Sequence, residues 1–139
     1  MSRRMAWNAR RDRGAAAVEF ALLLPVLLLL VFGLIDFGRA LNAQITLTQV
    51  AREGARLAAL GQSNVVSRTQ AAATGLSPVT VNPGTACPAN AGTGVNAVVQ
   101  VSYTYYLVTP VSAIARMFGG SGYGSAISLT ATGVMPCET

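Results

Sequence analysis

The sequence contains no histidine, and charged side chains make up only 11% of it. The first absence removes the commonest general base, proton shuttle and metal ligand in one step. The second leaves five acids, Asp12, Glu19, Asp36, Glu53 and Glu138, so dispersed that none forms an evident pair. No nucleophile–base constellation is visible, so the sequence predicts no enzyme, no catalytic residue, no metal and no cofactor. There is no basic patch outside the first residues either, so a pI near 10.0 does not point to nucleic acid. The GGSGYG segment at 119–124 neither follows a strand nor opens a helix, which removes a phosphate-cradling reading.

What the sequence has in quantity is apolar residues, 52% of the chain. From Phe20 to Ile35 no side chain is charged, and Pro25 is the only helix breaker. Lengthened by Ala15 to Val18, the run is long enough for a membrane-spanning helix. Proline costs roughly 3 kcal/mol inside a soluble helix, but a membrane helix tolerates it with a local kink. Five arginines precede the run against Asp12 alone, so residues 1–14 carry +4 of the net +5. Positive flanks stay on the cytoplasmic side. The leader therefore faces the cytoplasm, and the body of the protein lies outside it. There, an even cysteine count favours a disulfide between Cys87 and Cys137 over a zinc site, with two free thiols as the alternative. Closing a loop of that length is worth roughly 4 kcal/mol on the loop-entropy model.

The leader itself reads as irregular, polar and disposable. Arg10-Arg11 lacks the apolar residues that follow a twin-arginine signal, and Gly38-Arg39-Ala40 is a poor secretory site beside Asp36. A third route cuts between Gly14 and Ala15, on the cytoplasmic side, and keeps the apolar run. The basic leader, Gly14 and then AAAVEF, with Glu19 as fifth residue after the cut and Phe20 behind it, resembles the prepilin cleavage motif. The continuation ALLLPVLLLLVFGLIDFGRALN extends the resemblance to the TadE-like family, minor pilins or pseudopilins of tight-adherence (Flp-type) pilus systems. The likeness covers residues 14–60. It implies maturation by a prepilin peptidase and partners among other pilin, pseudopilin and assembly-platform subunits, with membrane lipid around the helix. Its implied setting is the cytoplasmic membrane, single-pass, N-terminus in the cytoplasm and head outside, with passage into a surface pilus after assembly.

Glu19 stands out on physical grounds as well. A carboxylate in the hydrocarbon costs about 2.5–3.5 kcal/mol at the centre of the bilayer, and such residues are usually functional. Paired with the new amino group of a neighbouring subunit's Ala15, it would set the stagger between helices. The plainer alternative is that it marks the cytoplasmic interface, reaching water or Arg13.

Beyond the membrane the helix is expected to continue over residues 39–60. Ala40, Ala43, Leu47, Val50, Ala51, Gly54, Ala55 and Ala58 fall within about 140° of a helical wheel, opposite Asn42, Thr46, Gln49, Glu53 and Arg56. This stripe of small residues suits close approach of another backbone, either the protein's own head or a second subunit. Gly61 supplies the stop. Residues 61–139 read as a small α+β head: a short helix before Gly75, a strand at 79–81, and a turn-rich stretch at 82–94. A long strand follows at 95–108, then a helix opened by Thr109-Pro110, the glycine loop, and a last strand near 126–135 pairing antiparallel with 95–108. The whole is a membrane helix at 15–38, its amphipathic extension and a head, in a structural subunit. Two alternatives stay open: an uncleaved, membrane-anchored accessory protein of the machinery, and a membrane-tethered binding module using Tyr103, Tyr105 and Tyr106.

Overall fold

The computed structural model describes residues 5–88, 94–107, 119 and 126–137, with only the helical backbone described for 5–13. The expected helix after Thr109-Pro110 and all of the glycine loop but Gly119 lie outside these residues. The first helix, α1, runs unbroken from Met5 to Ala59 with Pro25 inside it, a rod of roughly 80 Å at 1.5 Å per residue. It therefore passes through the leader from Met5 onward, where an irregular chain is expected from polarity alone. Arginine, alanine and methionine are good helix formers, and they outnumber Trp7, Asn8, Asp12 and Gly14 between Met5 and the apolar run. Once the long helix exists, adding turns at its end needs no new nucleus.

At its other end α1 stops in a Schellman arrangement. Gly61 adopts φ 64°, its N–H donates to Ala58 O at 3.1 Å, and Gln62 N–H donates to Leu57 O at 3.1 Å. Only glycine takes that conformation without strain. The chain then reverses into α2 (Val65–Ala72) and a three-stranded antiparallel sheet of order β1-β2-β3. β1 is Val79–Pro83, β2 Asn96–Tyr105 and β3 Ile127–Pro136. The expected pairing of the last two strands is present, with Val101 opposite Ala131, and β1 adds to the other side of β2, with Val81 opposite Val101. The result is α+β: a long N-terminal helix and a small antiparallel head.

The core lies between the outer part of α1 and one face of the sheet. Leu47, Val50, Ala51, Ala55 and Ala58 bury against Val79, Val81, Ala97, Val99, Val101 and Ala131. The small-residue stripe thus packs on the protein's own sheet, and Gln49 and Arg56 on its far side are exposed. Residues after Gly61 supply only one wall of this core, and α1 supplies the other. Gln44 Nε2 donates to Thr130 O at 2.9 Å, a further tie between α1 and β3. Cys87 and Cys137 are joined in a disulfide with Cα atoms 5.7 Å apart, which holds the β1–β2 connection to the end of β3. The Glu53–Arg56 pair, 3.7 Å apart and solvated, adds little.

The tightest helix–helix contact is at Gly54. A methyl placed there would lie 2.8 Å from Thr69 Oγ1 of α2 and 3.0 Å from Val99 Cγ1 of β2. Gly54→Ala is expected to lower stability by about 1–2 kcal/mol, overpacking outweighing the helix-propensity gain. Thermal unfolding of the full chain in detergent micelles measures this, and an unchanged midpoint would mean that α2 yields freely. Thr69 is itself fully buried, and its hydroxyl has no hydrogen-bond partner among the described residues. An orphaned hydroxyl costs more than the methyl that would replace it, so Thr69→Val is expected to stabilise by about 1 kcal/mol. A lower midpoint for that variant would reveal a hydrogen bond to the hydroxyl.

Candidate functional site

The membrane-length segment lies within Gly14–Ala59, where an apolar window reaches a mean hydropathy of 2.7 with none of it buried. Val18, Phe20, Leu22, Leu23, Val26 and Leu30 are all more than half exposed, so no part of the head covers this stretch. An apolar surface of this extent is the kind that lipid or another subunit covers. The span begins with the residues expected to be cut. Gly14 and Ala15 stand exposed within the helix, and a side chain at Gly14 would meet no atom within 4 Å. Glu19, about one turn further, is exposed, and among the described residues it makes no ion pair or hydrogen bond. Phe20 beside it is 60% exposed. Gly14, Ala15, Glu19 and Phe20 therefore form one short, uncovered tract at the leader end of the span.

The end of the span nearer the head is built differently. Counted from Glu19, Arg39 lies about 30 Å along the axis, one hydrocarbon thickness away. Here the described part of the head meets the helix. Asp36 is 3% exposed and engaged within the protein, and the Tyr105 hydroxyl donates to the Asp36 backbone carbonyl at 3.4 Å. Tyr103 is half-buried on the same face of β2, while Tyr106 points the other way and is 67% exposed. The three tyrosines do not form one cluster: two brace the helix, and one faces solvent. Asp36 is the residue whose role the sequence left unread. A carboxylate ending an apolar run is the available signal, because it must be covered or solvated.

Among the described residues, no group of three acids, cysteines or histidines is placed to hold a metal. The two cysteines are committed to each other.

One exposed, membrane-length helix continuous with a small extramembrane head is the build of a protein anchored by its N-terminal helix. The family model described as TadE-like protein matches residues 14–56, so this segment of the chain is TadE-like, as its residues led one to expect. TadE-like proteins are a pilus-associated structural family not known as enzymatic, and the likeness here covers residues 14–56. Comparison with curated proteins and with solved structures gives no significant match.

Proposed function

We propose that the chain is a pilin-like membrane subunit, a minor pilin or pseudopilin, that takes part in assembly of a tight-adherence pilus. A prepilin peptidase cuts it between Gly14 and Ala15 on the cytoplasmic side, and the helix stays in the membrane with the head outside. Pilin, pseudopilin and assembly-platform subunits are its partners, through the exposed apolar surface of α1. The observation that carries this reading is Glu19. It is a lone carboxylate on an otherwise uncovered apolar helix, five residues after Gly14, with no partner among the described residues of its own chain. A plain anchor has no use for such a group, whereas an assembling helix gains a specific partner from it.

The peptide bond to be cut lies inside the helix, so the peptidase must unwind a turn to reach it. Glycine lowers that cost, being about 1 kcal/mol poorer than alanine in a helix. The deciding experiment is intact-mass and N-terminal analysis of the protein extracted from membranes of cells that carry the pilus system. A chain beginning at Ala15 is expected. One that retains Met1 would overturn the cleavage step and leave an uncleaved accessory protein.

A further inference from the structure

We propose that the pocket where α1 leaves the membrane holds the phosphate of an anionic glycerophospholipid from the outer leaflet, with Arg39 as its ligand. The proposal rests on the membrane orientation given above, and it assigns that surface a specific lipid rather than a general bilayer. The pocket has a volume of about 440 Å³ and lies between α1 and β2. Its lower wall is Leu34 and Ile35, 65% and 47% exposed, which belong to the last apolar turns of the span. Above them come Arg39 and Asn42, and across the pocket stand Tyr103 and Tyr105.

Three features choose the occupant. Among the described lining residues Arg39 is the single charged one, and among the described residues it makes no ion pair or hydrogen bond. Asp36, about one turn nearer the membrane, is buried and already engaged within the protein, and none of the described lining residues carries a carboxylate. Among its described residues the pocket therefore offers an uncompensated guanidinium, the side chain best shaped for bidentate contact with phosphate. Depth supplies the second feature. At about 30 Å from Glu19, Arg39 lies at the level of the outer headgroups, where tyrosines also collect. The third is the wall below: apolar, exposed and continuous with the membrane span, it suits an acyl chain and has nothing to offer a soluble anion. Among the described lining residues, Asn42 and the Tyr103 hydroxyl are the neutral polar side-chain groups left to meet the phosphate, because the Tyr105 hydroxyl already donates to the Asp36 carbonyl. A zwitterionic headgroup would bring an ammonium that no acid of the described lining receives, so an anionic lipid is preferred.

The test uses the full chain in detergent, titrated with dioleoyl-phosphatidylglycerol or dioleoyl-phosphatidylcholine and read by native mass spectrometry. Phosphatidylglycerol is expected to remain bound in preference to phosphatidylcholine. Arg39→Gln is expected to weaken that retention about tenfold, the usual consequence of losing a charge-assisted contact. Arg56→Gln, on the same helix but far from the pocket, is expected to leave it unchanged. Equal retention by wild type and Arg39→Gln would overturn the proposal, as would displacement of the lipid by millimolar inorganic phosphate. Alkaline extraction of membranes separates this from the orientation beneath it. If the wild-type chain washes out of the membrane, both readings fall. If it stays and Arg39 makes no difference to lipid, only the lipid site does.

Discussion

Replacing Gly133 with alanine is expected to unseat β3 from α1 and to lower the unfolding midpoint of the full chain by about 12 °C or more. Gly133 sits in the middle of β3, opposite Val99 of β2, on the face that meets the helix. A Cβ there would collide with the Ala51 carbonyl group and would stand 2.9 Å from Arg52 N. All of these are backbone atoms of a helix that is itself packed, so no rotamer change relieves the clash. Either the strand or the helix must move by an ångström or more, parting Leu47, Val50 and Ala55 from Val99 and Val101. Overpacking of a core costs about 1–3 kcal/mol when side chains can adjust, and this position belongs at or beyond the upper end. In a domain of this size each kcal/mol moves the midpoint by about 4–8 °C. Gly38→Ala is the control: nothing lies within 4 Å of its Cβ position, and alanine favours the helix. Its midpoint is expected to hold or rise. The measurement is near-ultraviolet circular dichroism in detergent, which reports on the packed Tyr103 and Tyr105. A Gly133→Ala midpoint within a few degrees of wild type would mean that helix and sheet are not in the close contact described.

That contact explains how far the sequence could be read. The wheel of small residues from Ala40 to Ala58 announced that a backbone comes close, because alanine and glycine leave room for one and add little area of their own. It could not say which backbone, since a sister subunit and the protein's own sheet ask the same of the helix. The partner's half of the message was Gly133, a glycine within a strand pattern, itself a mark of close approach. Only the register that sets Gly133 opposite Val99 brings the two signals together. Alternation in Ala97, Val99, Val101 and Tyr105 was legible because a strand's two faces are fixed by its pleat. Burial of Thr69 was not, for it depends on α2 folding back over Gly54, a long-range event without local pattern. Asp36 falls between these cases. Its oddity at the end of an apolar run was visible, while its cover comes from β2, remote in sequence. The leader shows the converse: polarity suggested an irregular segment, and helix propensity carried α1 through it.

Glu19→Ala is expected to leave membrane insertion intact and to abolish entry into the pilus assembly. The two outcomes separate because they rest on different energies. Insertion depends on the apolar run from Phe20 to Ile35, and removing a carboxylate from its border makes insertion easier, by at most about 2.5–3.5 kcal/mol. Assembly, on the reading proposed here, depends on what that carboxylate meets. Glu19 is exposed and has no partner among the described residues of its own chain. A neighbour's free amino group at Ala15 would neutralise it in a low-dielectric setting, where an ion pair is far stronger than in water. Only one axial stagger brings the two groups together, so the pair would fix register as well as affinity. Glu19→Gln keeps the size and most of the hydrogen-bonding capacity while losing the charge, and is expected to fail nearly as completely as alanine. Glu19→Asp retains the charge on a shorter stem and is expected to assemble partially. The readout is the share of protein in sheared surface material and in complexes captured through tagged pilus subunits, set against the share in carbonate-washed membranes. Assembly of Glu19→Ala at the wild-type level would reduce Glu19 to a marker of the cytoplasmic interface. Failure of alanine alone, with glutamine fully active, would show that the neighbour needs a hydrogen-bond acceptor there and not a charge.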